Sequence, residues 1–396
     1  MSGTVLAQAI PVLVSPFLTR IFSPAEIGNL GLFTAILNVV GQIACGRYEL
    51  AILIPKSERE AGFLFSVAVK VAAIFSVAFA VLYLILESLK ITKLQNSNSL
   101  FLLLPVSIFL FGFFNTNNYL ATRCKRFKLI SSARVIQSFT ASVLQVGLGV
   151  LGFLKSGLIL GYLIGQLLSS VFIVHGLKSI FKYLSIRQKS LFSVAKQYKD
   201  YMLINAPSAL MDSISLFAPV FFIKVGYGSE DLGFYTMAQR LITLPTVLIG
   251  QAISQVFFQR ITAYHGDKQK IKNDMIATLK WLVLLAAVIG IGIYFLAPFA
   301  FSLVFGPEWR FSGELASIMA FSFFIRLIVN PVSPVFIALN ELKTLAKWQT
   351  GYFIGILTLS FAAIHLFSIT GTVWAYAAFD WIIYGIYFLL ILKISK

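Results

Sequence analysis

Apolar stretches of roughly 20 residues, long enough to cross a hydrocarbon core as a helix, recur twelve times along this 396-residue chain. They run approximately from Gly3 to Leu18, Ile27 to Ile54, Ala61 to Leu86, Ser99 to Leu120, Ser132 to Leu154, Gly157 to Leu177, Leu203 to Val225, Leu232 to Phe258, Lys280 to Val304, Phe311 to Leu339, Gln349 to Ser368 and Gly371 to Leu392. The connections left between them are too short to fold into an extramembrane domain. The pattern predicts an all-α polytopic membrane protein with about 12 transmembrane helices. The longest interruption, about Lys178 to Tyr201, is basic and amphipathic, with Ile180, Phe181, Tyr183, Leu184, Leu191, Phe192 and Val194 as its apolar positions. It is expected to lie along the membrane interface as a helix.

Composition narrows the classes further. Hydrophobic residues make up 58% of the chain and charged residues only 12%, about half the charge of a soluble domain, which excludes most soluble enzyme folds. The net charge of +17 would suggest nucleic acid in a soluble protein, but here position decides. Of the 32 Lys and Arg, 23 fall in the even-numbered connections and the C-terminal tail, among them Arg47, Arg123, Arg134, Lys178, Arg260 and Lys393. The odd-numbered connections hold six: Arg20, Lys90, Lys93, Lys155, Lys224 and Arg310. By the positive-inside rule both termini face the cytoplasm, and no nucleic acid is needed to explain the charge. With only Cys45 and Cys124, neither a disulfide framework nor a Cys-rich metal site is supported. No basic segment precedes the first apolar run and no small-residue cleavage site follows it, so it is read as a retained span and not a signal peptide.

The chain also repeats itself. Phe22 to Leu30, between spans one and two, reads FSPAEIGNL; at an offset of 205, Tyr227 to Tyr235, between spans seven and eight, reads YGSEDLGFY. Phe22 pairs with Tyr227, Glu26 with Asp231, Ile27 with Leu232 and Gly28 with Gly233. Six spans on each side give the halves one orientation, so the expected architecture is two six-helix lobes related by a parallel pseudo-two-fold repeat around a central cavity, with rocking of the lobes giving alternating access. The corresponding division is 1–178 as the N-lobe, 179–201 as a basic amphipathic cytoplasmic linker and 202–396 as the C-lobe.

Three motifs carry a family resemblance. Pro16 to Gly28 (PFLTRIFSPAEIG) resembles the first-span signature of Wzx-like polysaccharide flippases of the multidrug/oligosaccharidyl-lipid/polysaccharide exporter (MOP) superfamily. Arg47 to Pro55 (RYELAILIP) resembles their motif at the end of span two, and Tyr235 to Pro245 (YTMAQRLITLP) is similar to a span-eight pattern shared with lipid II flippases. Two departures stand out. The first span begins a few residues after Met1, which suggests a shortened or mis-started N-terminus, and twelve spans in place of fourteen disfavour lipid II as cargo. The resemblance implies a transporter of the bacterial inner membrane, not an enzyme, that moves undecaprenyl-diphosphate-linked oligosaccharide repeat units for O-antigen, capsule or exopolysaccharide. Membrane lipids surround it, and a polysaccharide polymerase is a candidate partner.

Ionisable residues inside spans are costly and mark transport paths. Arg240, early in span eight, matches a cavity arginine of lipid II flippases and is a candidate for the diphosphate; a buried ion pair is the structural alternative. Arg326, ahead of Asn330, Pro331 and Pro334 in span ten, sits at an expected cavity-facing kink, or else pairs statically with Asp212 or Asp380. Arg47 would hold a diphosphate with its planar fork or simply pair with Glu49. Arg20 ends the first span on the outer side and would serve in an outward-open state or act as an interfacial anchor, and Lys70 faces the N-lobe cavity or snorkels. Asp212 and Asp380, the carboxylates deep in apolar spans, are candidates for H+ or Na+ coupling, or for neutralising an arginine. His365 titrates near neutral pH or packs. Asn115, Asn117, Asn118, Gln137, Gln145, Gln251 and Gln255 would bind sugar hydroxyls or bond between helices.

No phosphate-binding glycine loop, metal-ligand cluster or nucleophile elbow can be read, so no cofactor or metal is expected and energy must come from an ion gradient or from consumption of the cargo. The alternatives are an ion-coupled multidrug or cation exporter of the same superfamily, whose cavity should be acidic rather than arginine-bearing, and a membrane polysaccharide polymerase or ligase, which needs a longer outer loop.

Overall fold

A computed structural model describes residues 2–88, 99–181, 188–264 and 267–394. Lys90, Lys93, Lys182, Arg187 and Lys396, and with them the middle of the basic linker, lie outside the described residues. Among the described residues all regular structure is helical, and each apolar run corresponds to a helix or a pair of helical pieces: α1 Ser2–Ile21, α2 Pro24–Gly41, α3 Tyr48–Ala51, α4 Glu58–Ser88, α5 Leu104–Arg123, α6 Phe127–Val150, α7 Gly157–Phe181, α8 Gln188–Gln197, α9 Ala206–Thr262, α10 Lys268–Phe305, α11 Arg310–Val329, α12 Val335–Ala338, α13 Leu342–Leu366 and α14 Ile369–Ile394. Among the described residues, eight helices are long and apolar enough to cross a membrane, and one of these, over Tyr201–Thr262, covers 62 residues. A straight helix of that length would extend about 93 Å, three times a hydrocarbon core of ~30 Å. Gly228 (φ 92°, ψ −168°) breaks it inside the 227–235 repeat motif, so it supplies spans seven and eight.

Three spans depart from a simple rod. Span two stops at Gly41, turns through 42–47 and resumes as α3, because Gly46 (φ 59°) and Arg47 (φ 61°) are both left-handed. Span ten breaks where its prolines predict: α11 ends at Val329, a 3-10 turn over Asn330–Val332 follows, and α12 begins after Pro334. Proline removes a backbone donor and crowds the preceding turn. Span nine starts early, at Lys268, because the Asp267 side chain accepts a hydrogen bond from the Lys270 amide and caps α10. That bond holds the Asp267 carboxyl below its usual range.

Two compact units partition the fold: Met1–Phe22 with Leu30–Phe217, and Ser23–Asn29 with Ala218–Lys396. In the first, α6 and α7 make the closest pair. Side chains at Gly161 and Gly165 would collide with backbone atoms of Gln145 and Gln137, so the small residues let two helices approach to backbone contact. The linker helix α8 does not lie free on the interface. It buries Leu191 and Val194 in the core of this unit, Ala195 accepts from the Tyr48 hydroxyl at 3.1 Å, and Tyr198 donates to Glu60 at 2.9 Å. Phe192 alone of its larger apolar residues points out, 79% exposed.

The second unit contains Ser23–Asn29 of the first copy of the repeated motif and the whole of the second copy, lying against each other. The offset of 205 relates Pro24 to Ser229 and Gly28 to Gly233. A side chain on Gly28 would strike the Ser229 carbonyl, and one on Gly233 would strike the Pro24 carbonyl. The contact therefore exchanges with itself under the 205-residue offset. Glu26 stays in its own segment and accepts from the Ser23 amide at 2.9 Å.

Candidate functional site

The first unit carries a polar cavity of about 380 Å³ bordered by the turn of span two, α5 and α6; its walls include Gln42, Arg47, Glu49, Asn115, Asn118, Tyr119, Thr122 and Arg134. Helical periodicity builds two of these walls. Phe111, Asn115, Asn118 and Thr122 follow a 4-3-4 spacing along α5, and Ile130 and Arg134 lie four apart along α6, so each set shares one helix face; Gln137 and Ser138 continue the α6 face beyond this cavity.

Arg47 enters from the third wall. Its left-handed backbone costs about 1–2 kcal/mol for a residue with a Cβ, strain of the sort found at functional sites. The guanidinium donates to Gln42 Oε1 at 3.0 Å and lies 3.6 Å from Glu49. The pair is loose: Arg47 Nε and Glu49 Oε2 are buried with no hydrogen-bond partner. Arg134 makes no ion pair among the described residues and is exposed to the cavity side of α6. Two cations with spare donors around one void can hold a dianionic group.

The second unit treats its arginine differently. Arg326, at the end of α11, donates to Asp380 at 2.9 Å and to the Tyr352 hydroxyl at 3.0 Å, and its guanidinium stands 5.5 Å from the Tyr384 ring. Asp380 is 2% exposed. Trp348 packs between Tyr352, Tyr384 and Tyr387, closing an aromatic wall around the pair. Of the two carboxylates considered for Arg326, Asp380 is the partner found.

The other residues singled out by sequence are scattered. Arg240 is half-buried on α9 in the second unit, with no ion pair among the described residues. Arg20 is exposed and donates to the Pro16 carbonyl of its own helix at 2.9 Å. Lys70 is exposed on α4 and lines no wall of the cavity. Asp212 is exposed in the first unit, where Arg47 acts on it electrostatically. His365 is exposed against Phe361. Gln145 donates to the Leu158 carbonyl between α6 and α7 at 2.9 Å, a packing role, while Gln251 and Gln255 are exposed on α9. Asn117 donates back to the Phe113 carbonyl at 2.7 Å.

A family model described as "Polysaccharide biosynthesis protein" matches residues 17–314. The chain belongs to this family. It is 24% identical over 372 residues to the succinoglycan biosynthesis transport protein ExoT of Rhizobium meliloti (strain 1021), covering 92% of this chain and 70% of ExoT. Against the teichuronic acid biosynthesis protein TuaB of Bacillus subtilis (strain 168) it is 23% identical over 243 residues, 60% of this chain and about half (49%) of TuaB. In fold it is similar to a lipid II flippase MurJ in an inward closed conformation, with a TM-score of 0.77 at 17% identity, 99% of this chain and 89% of that one. It is also similar to an inward-facing multidrug resistance MATE transporter of the MOP superfamily, with a TM-score of 0.67 at 15% identity, 98% of this chain and 94% of that one. This polysaccharide biosynthesis family protein therefore has a multi-pass, all-helical fold similar to that of these MOP-superfamily structures.

Sequence reasoning counted Arg134 only among the loop cations that set topology, and passed over Gln8, Gln42 and Gln166. The signal for Arg134 was present in its 3-1 spacing to Gln137 and Ser138. Gln42 and Gln166 meet the others only through the turn of span two and the close approach of α7, which no single helix period encodes.

Proposed function

We propose that this transporter flips an undecaprenyl-diphosphate-linked oligosaccharide repeat unit from the cytoplasmic to the outer leaflet of a bacterial inner membrane, for O-antigen, capsule or exopolysaccharide. The observation that carries this reading is the Arg47–Arg134 cavity. Arg134 makes no ion pair among the described residues and Arg47 is only loosely paired with Glu49, the other polar groups of the wall are amides and hydroxyls, and an undecaprenyl diphosphate offers a dianion joined to sugar hydroxyls. The planar fork of each arginine suits phosphate oxygens, the sugars stay with the amides, and the polyprenyl tail stays in lipid. An organic cation would meet two arginines there, which disfavours the drug exporter.

In this reading Arg240 supplies a further phosphate contact along the path, and Arg20 and Lys70 are outlying cations. Alternating access between two lobes provides the passage, and the distribution of Lys and Arg puts both termini in the cytoplasm. Of the two carboxylates, Asp212 is the better candidate for H+ or Na+ coupling, because Asp380 is committed to Arg326.

The test is leaflet-resolved. Arg134→Gln and Arg240→Ala, each expressed and inserted normally in the native host, should abolish surface polysaccharide and leave lipid-linked repeat units accessible only from the cytoplasmic side. Normal surface polysaccharide in both variants would remove these arginines from transport.

A further inference from the structure

Beside the Arg47–Arg134 cavity lies a second void of about 240 Å³ between α1, α5, α6 and α7, sharing Phe111, Asn115, Asn118 and Arg134 with it. This volume is just below the usual range for small-ligand sites, about 300–1,000 Å³. Arg134 is the one charged residue on its wall and stands where the two voids meet; beyond it the polar groups are neutral, chiefly Gln8, Asn118, Gln137 and Gln166.

These amides are not explained by packing. Gln166 is 1% exposed and Asn118 8% exposed, yet both side-chain atoms of Gln166, Oδ1 of Asn118 and Oε1 of Gln8 have no hydrogen-bond partner. Leaving such groups without partners away from water is destabilising. The helices that hold them cannot relax to pair them off, since a side chain at Gly165, next to Gln166, would already strike the Gln137 carbonyl. A rigid wall of unsatisfied donors and acceptors is a preorganised site. An amide both donates and accepts, as a sugar hydroxyl does, and the rings of Phe111 and Phe114 offer apolar faces to the carbon side of a pyranose. No carboxylate lines the void to attract a cation, and the two arginines next door place the phosphates outside it.

We propose that this void is a subsite for the sugar attached to the diphosphate, and that Gln166, with Gln137 and Asn118, determines which lipid-linked sugar is accepted. The inference rests on the flippase reading above and adds to it the determinant of cargo choice.

The experiment uses the full chain in nanodiscs and measures equilibrium binding of undecaprenyl diphosphate against undecaprenyl diphosphates bearing a single hexose or N-acetylhexosamine. Wild type should bind at least one sugar-bearing probe about five- to tenfold more tightly than the bare one, the size of one or two net hydrogen bonds. Gln166→Leu, close in volume, should bring that ratio to about one while the empty protein melts no lower than wild type, because an orphaned amide has been removed. Ser138→Ala should lower the ratio by a smaller factor. Equal binding of sugar-bearing and bare probes by wild type, with Arg134→Gln weakening both, would overturn the subsite alone and assign the void to water. A lower melting temperature in Gln166→Leu with an unchanged ratio would also overturn it, as a packing role. Failure of every probe to bind wild type would overturn the flippase reading itself.

Discussion

The two units hold their arginines in opposite ways. Arg326 has a carboxylate at 2.9 Å, a tyrosine hydroxyl at 3.0 Å and an aromatic face at 5.5 Å; its Nε, like that of Arg47, has no hydrogen-bond partner, but its charge is held in a short, direct ion pair. Arg47 sits on a strained backbone 3.6 Å from its carboxylate with one donor idle, and Arg134 makes no ion pair among the described residues. A cation that must bind and release cargo cannot have its charge neutralised by a close partner, whereas one that holds helices together is best paired at short range. By that criterion the Arg326 cluster braces α11, α13 and α14, and the Arg47–Arg134 cavity works on the cargo.

The largest expected effect breaks the brace. Asp380→Asn leaves a half-buried guanidinium without its counter-charge, which costs at most about 3–5 kcal/mol, and should appear as a clear loss of thermal stability in detergent. Replacing both partners, Arg326→Met with Asp380→Leu, should recover most of that loss, since a well-packed apolar pair often matches a buried ion pair. An Asp380→Asn protein as stable as wild type would show that the cluster is not structural.

The cavity should respond the other way. Arg134→Gln removes charge-assisted bonds worth about 1.5–3 kcal/mol, so binding of undecaprenyl diphosphate should weaken about 10- to 100-fold with little change in melting temperature. A smaller and opposite effect is expected from Glu49→Gln. Releasing Arg47 from its loose partner should tighten diphosphate binding a few-fold, and weaker binding would mean that Glu49 positions the arginine instead of competing for it.

The Arg326–Asp380 cluster was visible in the sequence as charges inside apolar runs, whereas of the cavity cations only Arg47 was singled out. The twelve spans, the break at Pro331 and Pro334 and the turn at Gly228 follow from length, proline chemistry and the repeat. The pairing of Arg326 with Asp380 joins residues 54 positions apart and was only one of two alternatives. Arg134 was hidden by the rule that explained most of its neighbours, because a cation near a span end satisfies topology whether or not it also lines a cavity. Span two was expected to be continuous, since a lone glycine before a basic residue does not announce two left-handed residues in succession.

The smallest effect lies outside both clusters and serves as their control. The Asp267 cap on α10 has its carboxyl held below the ordinary range by the Lys270 amide. Its contribution is fully present above the unfolded carboxylate value of about 3.9 and is lost as pH falls through the lower folded value. Amide exchange in the first turn of α10 should quicken over that acidic window, and Asp267→Ala should remove the pH dependence without altering diphosphate binding.

The most direct measurement compares the two units in one transport assay. Flipping of an undecaprenyl-diphosphate-linked sugar in proteoliposomes should be abolished by Arg134→Gln and retained by the folded Arg326→Met, Asp380→Leu double variant. Flipping retained in the first and lost in the second would contradict the account.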